Sequence, residues 1–208
     1  MPKHVLVALP LRDAQRSALQ ASVPEYEFIF AQTETVTLAQ VLEADIIMGN
    51  VPVELICQNH HLEWFQSNFA GPDTYLVPGV LPEQCLVTNA TGAYGQSVSE
   101  HMFAMMWSIM KNLHIYAVGN PNAAWQDAGR VISPDGKTAL IIGTGDIGSH
   151  FARLCKSVGM STIGIRRNPT VEAPGIDHMV GFESLDDVLQ YADVIAMCVP
   201  STPSTHHP

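Results

Sequence analysis

Two spacings of hydrophobic positions alternate along the chain. Short apolar runs, typical of buried strands, alternate with stretches in which apolar residues recur every three or four positions, as on one face of a helix. Between residues 4 and 100 the segments are HVLVALP, RDAQRSALQASV, EFIFAQ, TLAQVLEA, DIIMGN, VPVELICQN, LEWFQSNFAG and CLVTNAT. Strands that alternate with helices predict parallel pairing and a layered α/β domain over residues 1–100.

A long helix is predicted from about Tyr94 to Val118. Apolar residues recur there at helical spacing, which we attribute to core packing and not to a cofactor site. These residues are Val98, Met102, Met105, Met106, Ile109, Met110 and Leu113. Residues 119–136 then break the period with Pro, Gly and Asn and predict a crossing loop.

The second domain is predicted over residues 101–208. Its strands are expected near residues 138–143, 161–165, 177–181 and 193–198, with helices over about 146–158 and 184–192. A complete doubly wound sheet has about six strands. The sequence therefore predicts an incomplete Rossmann sheet, which we interpret as the product of a truncated gene or as a fragment.

The charge balance narrows the range of partners. The chain has 20 acidic and 10 basic side chains, a formal charge of −10, and 47% apolar residues. This composition excludes a disordered tail and a basic nucleic-acid-binding arm. The apolar runs are much shorter than the ~18–20 residues that span a bilayer, and the N-terminus lacks a signal-peptide cleavage site. We expect a cytoplasmic protein without nucleic-acid or membrane partners.

Metal binding is not expected from the sequence. Neither the pair His60 and His61 nor the pair His206 and His207 has a carboxylate or cysteine at ligand spacing. The cysteines form no CxxC motif, and buried free thiols explain them. They are Cys57, Cys85, Cys155 and Cys198.

The clearest chemical motif is a glycine pattern in TALIIGTGDIGSHFARLCKSVG. Gly143, Gly145 and Gly148 form G-x-G-x-x-G directly after an apolar strand and at the start of a helix. In a dinucleotide-binding turn the first glycine permits the turn, the second lets the backbone approach a pyrophosphate, and the third lets helix and strand pack closely. The helix N-terminus offers free N–H groups to the phosphates.

We therefore predict a dinucleotide site over residues 143–148. The residues between the glycines, Thr144, Asp146 and Ile147, belong to the same turn. The alternative is a glycine-rich turn of an ordinary α/β domain.

The end of the next strand bears on which dinucleotide binds. An Asp or Glu about 20 residues into such a unit accepts hydrogen bonds from the adenosine ribose. Arg166 and Arg167 stand there instead. Because a guanidinium suits a 2′-phosphate, we predict NADP in preference to NAD. The alternative is an exposed basic pair, with NAD held by the main chain.

Four segments in order resemble the D-isomer-specific 2-hydroxyacid dehydrogenase family, which includes hydroxypyruvate/glyoxylate reductases and phosphoglycerate dehydrogenases. They are WFQSNFAGPDTYL, TNATGAYGQSVSEHMFAMM, the stretch over residues 136–167, and LDDVLQYADVIAMCVPSTPSTHH. The resemblance implies a flavodoxin-like N-terminal substrate domain, expected to lack the C-terminal helix that closes it in the family, and an incomplete Rossmann doubly wound parallel sheet for the cofactor, joined by the long helix.

The resemblance also implies roles for individual residues. The turn of Phe69, Ala70 and Gly71 resembles the segment whose backbone N–H groups hold the substrate carboxylate, although a purely structural turn fits equally well. Val98 resembles the residue that packs near the nicotinamide, with plain helix core as the alternative. The loop after the last strand resembles the family's loop beneath the cofactor. Its residues are Cys198, Val199, Pro200, Thr202 and Thr205.

The family's chemistry is hydride transfer between a nicotinamide and C2 of a small 2-oxo or 2-hydroxy acid. It needs a cation and an acid/base, usually His, which in the family come from segments expected beyond residue 208. No catalytic residue is therefore assigned in this chain. The resemblance implies an NAD(P)-dependent oxidoreductase and a homodimer. The alternative is a catalytically silent protein that binds or senses a dinucleotide.

Overall fold

A computed structural model describes residues 2–119 and 127–200, together with 202 and 205. They form two compact units: the first takes in the chain up to Thr91 with Thr202 and Thr205, and the second is Gly92–Pro200. Residues 120–126 of the predicted crossing loop, and the pair His206 and His207, lie outside the described residues. No helix among the described residues is long and apolar enough to cross a membrane.

The first unit is a parallel sheet with helical connections. Its strands are β1 (His4–Val7), β2 (Glu27–Phe30), β3 (Ile46–Met48), β4 (Trp64–Gln66) and β5 (Leu86–Thr88). Its helices are α1 (Asp13–Ser22), α2 (Leu38–Glu43) and α3 (Val53–Ile56). All neighbouring strands pair in parallel, in the order β2-β1-β3-β4-β5. This order is the flavodoxin-like one, and that part of the prediction is confirmed.

Alternation of side chains along the strands gives this sheet two apolar faces. Leu6, Ile47 and Phe65 are fully buried on one face, in the cluster that includes Val41 of α2 and Ile56 of α3. Their strand neighbours pack in a separate cluster on the opposite face. Burial on both sides explains why the strands are almost continuously apolar in sequence.

The second unit is also built on a parallel sheet. Its strands are β6 (Thr138–Ile142), β7 (Ser161–Ile165), β8 (His178–Val180) and β9 (Val194–Met197). Its helices are α4 (Gly95–Met110), α5 (Leu113–Gly119), α6 (Asp146–Ser157) and α7 (Leu185–Leu189). The strand order is β8-β7-β6-β9, all parallel. Numbered along the second unit, this order is 3-2-1-4, which is the order of the first four strands of a doubly wound Rossmann sheet. The predicted fold class is therefore confirmed for the four strands that the structure describes.

The predicted single long helix is wrong, because the helix is broken after α4. Asn112 has φ 56°, a left-handed conformation that Asn adopts more easily than most residues. Its side-chain amide donates to the carbonyl oxygens of Ala128 and Arg130 at 3.1 and 3.3 Å. The interruption is therefore stabilised by hydrogen bonds to a segment 16 to 18 residues further along the chain.

The predicted apolar stripe of α4 is core on one side only. Met106 and Met110 are 8% and 6% exposed, and Met102 packs against the same cluster beside β6 and α6. Met105 and Ile109, by contrast, are 53% and 64% exposed. Residues four apart share a helix face, so core packing explains the 102–106–110 series but not the whole stripe.

Candidate functional site

The turn between β6 and α6 has the backbone that its glycines predict. Gly143 has φ 94°, which disfavours a side chain, and its N–H donates to the carbonyl oxygen of Ile165 at 2.9 Å. Gly145 is the N-cap of α6, and its carbonyl oxygen accepts from Ser149 N at 2.9 Å. The turn therefore leads directly from the carboxyl end of the central strand into the first turn of the helix.

Gly143 also brings the turn against the loop that follows β9. A Cβ on Gly143 would lie 2.7 Å from the carbonyl oxygen of Cys198 and 3.0 Å from Cγ1 of Val199. Cys198 N donates to the carbonyl oxygen of Ile142 at 2.7 Å. The glycine turn and this loop, predicted separately as cofactor contacts, thus lie side by side at the carboxyl edge of the sheet, where open α/β sheets bind ligands.

The first turn of α6 can receive an anion. The N–H groups of Asp146, Ile147 and Gly148 have no acceptor within the helix, and they lie at the positive end of the helix dipole. A Cβ on Gly145 would meet no atom within 4 Å, so the backbone there faces open space. These donors and this opening fit the pyrophosphate of a dinucleotide.

Asp146 forms a contact that the sequence did not reveal. A Cβ on Gly95, at the start of α4, would lie 2.2 to 2.6 Å from the three carboxylate atoms of Asp146. Nδ1 of His150 lies 3.4 Å from Asp146 Oδ1 and 2.8 Å from the carbonyl oxygen of Asp146. The Asp146 side chain therefore lies between the first turn of its own helix, α6, and the start of α4. Gly95 was the available signal, since glycine has a low helix propensity and is used where another group approaches the backbone closely.

The basic pair follows β7, as predicted. Arg166 is half-buried, and its Nη1 donates to the carbonyl oxygen of Val171 at 3.1 Å, while Arg167 is exposed. The Arg166 backbone N–H donates to Val180 at 3.2 Å, which ties the residue to the end of β8. One hydrogen bond orients the Arg166 guanidinium and leaves the rest of its donor set for a ligand.

The remaining predicted cofactor contacts are placed as follows. Val98 is half-buried in the first turn of α4, where its N–H donates to the carbonyl oxygen of Tyr94 at 3.0 Å. Cys198 and Val199 are half-buried and Pro200 is exposed; burial raises the pKa of the Cys198 thiol. Thr202 and Thr205 bond to each other, with Thr202 N donating to Thr205 Oγ1 at 2.9 Å.

The turn of Phe69, Ala70 and Gly71 lies at the carboxyl end of β4 in the first unit. The N–H of Phe69 already donates to Ser67 Oγ at 3.1 Å, so it is not a free donor. Within the part of the chain that the structure describes, the N–H groups of Ala70 and Gly71 form no hydrogen bond. Asn89 Nδ2 holds the turn by donating to the Ala70 carbonyl oxygen at 2.8 Å.

Asn50 is a second residue that the sequence did not single out. Its Oδ1 accepts from Ser67 Oγ at 3.1 Å and from Asn68 N at 2.9 Å, so it orients the segment that precedes the turn. The signal was a polar residue at the end of the parallel strand β3, because strand ends of this kind form the ligand-binding edge.

Comparison with known proteins identifies the family of this chain. The family model for the D-isomer specific 2-hydroxyacid dehydrogenase, NAD binding domain, matches residues 103–208, just over half of the chain. The chain belongs to this family of oxidoreductases. The matched region includes the glycine turn, the basic pair and the loop after β9, which supports a nicotinamide cofactor for this domain.

The individual relatives are distant from this chain in sequence. The chain is 27% identical over 211 residues to the D-3-phosphoglycerate dehydrogenase of Methanocaldococcus jannaschii, covering 98% of this chain and 40% of that protein. A D-isomer specific 2-hydroxyacid dehydrogenase family protein from Aeromonas salmonicida superposes with a TM-score of 0.85 at 29% identity, over 100% of this chain and 67% of that one.

A D-lactate dehydrogenase from Aquifex aeolicus, solved with NAD and lactic acid, shares the fold. Its TM-score is 0.73 at 23% identity, over 99% of this chain and 63% of that one. The chain spans 40% to 64% of the length of the first four curated relatives that it matches.

Proposed function

We propose that this chain carries the cofactor site, and part of the substrate site, of an NADP-preferring D-2-hydroxyacid dehydrogenase that acts on a small 2-oxo acid. One observation carries the proposal: the free amides of α6, the open space at Gly145 and the adjoining Cys198 loop together form a cradle for a dinucleotide. The bound nicotinamide would supply or accept the hydride. The residues of this chain bind and orient the cofactor and the substrate.

The preference for NADP rests on Arg166. Its guanidinium is at the end of β7, half-buried and oriented by the Val171 carbonyl oxygen, where an acidic residue would select NAD. A planar guanidinium forms charge-assisted hydrogen bonds with a 2′-phosphate. Arg167, exposed beside it, adds a second positive charge.

The substrate carboxylate is assigned to the amides of Ala70 and Gly71. They have no partner among the residues described, whereas the Phe69 amide is paired with Ser67. Two adjacent backbone donors suit one carboxylate, and Asn89 fixes the turn that presents them. The Phe69 N–H is excluded because it donates to Ser67 Oγ at 3.1 Å, and the Phe69 side chain is 58% exposed.

Cofactor choice is tested by titrating the 208-residue chain with NADPH and NADH and following the change in nicotinamide fluorescence. Arg166→Asp is expected to weaken NADPH binding at least tenfold more than NADH binding. Arg130→Asp, a matched charge change on an exposed residue, should leave the ratio of the two affinities unaltered. If Arg166→Asp also leaves that ratio unaltered, the NADP assignment is wrong.

Activity is tested on the natural gene product with NADPH and either glyoxylate or hydroxypyruvate. Oxidation of NADPH that depends on the 2-oxo acid would support the dehydrogenase. Tight NADPH binding without turnover of these or other 2-oxo acids would instead favour a silent dinucleotide-binding or sensing protein.

A homodimer through the exposed side of α4 and α5 is also proposed. Ile109 and Val118 are 64% and 82% exposed. Clusters of exposed apolar side chains are typical of protein–protein interfaces. Further exposed apolar residues on these helices are Met105, Leu113, Ile115 and Tyr116. Sedimentation equilibrium should give a dimer for the wild type and a monomer for Ile109→Glu, and a wild-type monomer would refute the proposal.

A further inference from the structure

A cavity in the first unit is lined by residues to which no role has been assigned above. It has a volume of about 530 Å³ and is lined by the connection from β1 to α1, by the first turn of α1 and by residues 32–34 after β2. It includes neither the glycine turn nor the 69–71 turn. Like other ligand sites of α/β folds, it lies at the carboxyl ends of parallel strands.

Two arginines form one wall of this cavity. Arg12 immediately precedes α1 and Arg16 lies in its first turn, so the two are four residues apart and share a helix face. The Arg16 guanidinium carbon lies 5.4 Å from the centroid of the Phe30 ring, which orients the charged group by a cation–π contact. Glu34 lines the cavity too and is its one carboxylate, so the described lining carries a net positive charge.

Arg16 has a donor that the protein does not satisfy. Its Nε is buried and lacks a hydrogen-bond partner, and in the part of the chain described here no other buried side-chain nitrogen or oxygen is in that condition. A guanidinium cannot be neutralised by losing a proton in a protein, so the unpaired donor stays charged. Burying such a donor is costly unless an acceptor reaches it.

We propose that this cavity binds a small dianion between Arg12 and Arg16. The Arg16 guanidinium turns its Nε edge toward the anion and donates to one pair of anion oxygens, in the forked geometry that guanidinium groups form with phosphate and carboxylate. Arg12, which is exposed, balances the second negative charge from the outer side. A phosphate monoester and a dicarboxylate both meet this description, and the experiment separates them.

The test uses the 208-residue chain, titrated with inorganic phosphate or with malonate and followed by two-dimensional NMR of the backbone amides. The glycine turn can also bind phosphate, so the location of the shifts is what matters. The preferred dianion is expected to shift the amides of residues 8–16 and 32–34 with saturation. A phosphate response without a malonate response assigns a phosphate monoester, and the converse assigns a dicarboxylate.

Three charge variants and a control make the result specific. Arg16→Gln should weaken the binding at these amides at least tenfold, and Arg12→Gln several-fold. Glu34→Gln should tighten it several-fold, because a like charge is removed from the lining; a merely structural role of the arginines would not produce this change. Arg130→Gln, in the second unit, should have no effect.

Arg12 and Glu34 are exposed, so their variants test the site even if Arg16→Gln fails to fold. The proposal is overturned if neither dianion shifts the amides of residues 8–16 in the wild-type chain. It is equally overturned if the folded Arg12 and Glu34 variants bind as the wild type does.

Discussion

A Cβ placed on Gly148 would lie 2.1 Å from the carbonyl oxygen of Gly143. Gly143 directly follows β6 and Gly148 lies in the first turn of α6. The contact involves the backbone of Gly143, so no side-chain rotation can relieve it. The third glycine of the motif therefore sets how closely helix and strand approach. Gly148 allows α6 to pack closely on β6, whereas Gly145 leaves the proposed phosphate site open to the ligand.

Gly148→Ala is expected to destabilise the protein. A methyl group in this position must push α6 away from β6, and overpacking of this kind costs about 1–3 kcal/mol. The measurement is the free energy of unfolding in urea. Gly145→Ser is the control, because a side chain there meets no atom within 4 Å and serine is a good N-cap, so its effect should stay within about 0.5 kcal/mol.

Gly145→Val is expected to abolish dinucleotide binding while the fold persists. The space beside Gly145 is open in the protein, so the valine side chain occupies the path of the ligand and not of a neighbouring residue. Far-UV circular dichroism checks the fold, and NADPH and NADH titrations check binding. A folded Gly145→Val variant that still binds either nucleotide would contradict the dinucleotide site.

The sequence predicts those parts of this site whose residues lie close together along the chain. The G-x-G-x-x-G pattern, the preceding apolar strand and the basic residues at the next strand end lie within about 30 consecutive residues, as in other βαβ units. What escaped prediction depends on residues distant in the chain. The partners of Asn112 are 16 and 18 residues away, and Gly95 meets Asp146 only because α4 packs on α6.

The apolar stripe of α4 illustrates the same limit. Helical spacing predicts that Met102, Met106 and Ile109 are all interior, but the sequence does not say how wide a face the neighbouring elements cover. In the second unit β6 and α6 cover only the Met102 and Met106 side, and Ile109 remains 64% exposed.

Cys155 is expected to resist alkylation in the folded protein. Burial raises the pKa of its thiol from 9.0 to about 12, so almost none of the reactive thiolate is present near pH 8. Mass-spectrometric mapping after iodoacetamide treatment should find Cys155 unmodified in native conditions and modified in urea. Cys57, which is only half-buried, serves as the internal comparison. Rapid native alkylation of Cys155 would contradict its burial.

The contact between Asp146 and Gly95 predicts a coupling between two substitutions. Gly95→Ala places a methyl group 2.2 to 2.6 Å from the Asp146 carboxylate, which must then move. We expect this substitution to reduce the free energy of unfolding by about 1–3 kcal/mol in the wild type and by clearly less in an Asp146→Ala background. Equal effects in the two backgrounds would show that the residues are not coupled.

Asp177 and Asp193 predict the response of the second unit to acid. Asp193 accepts from Thr138 N at 2.9 Å and Asp177 from Thr162 N at 3.0 Å, so each carboxylate holds the start of a central strand. The Lys156 ammonium lowers the pKa of Asp177, and the Thr138 N–H and then Lys137 lower the pKa of Asp193, both from 3.8.

A carboxyl group whose pKa is lower in the folded state stabilises the fold above its unfolded pKa, and this contribution disappears as the pH falls through the folded pKa. The unfolding free energies of the wild type and Asp177→Asn should therefore differ at about pH 7 and converge as the pH falls below the unshifted pKa of 3.8. Glu172→Gln, on an exposed residue of the connection from β7 to β8, should show no such convergence. A difference for Asp177→Asn that persists unchanged at low pH would mean that the carboxylate charge is not what holds these strands.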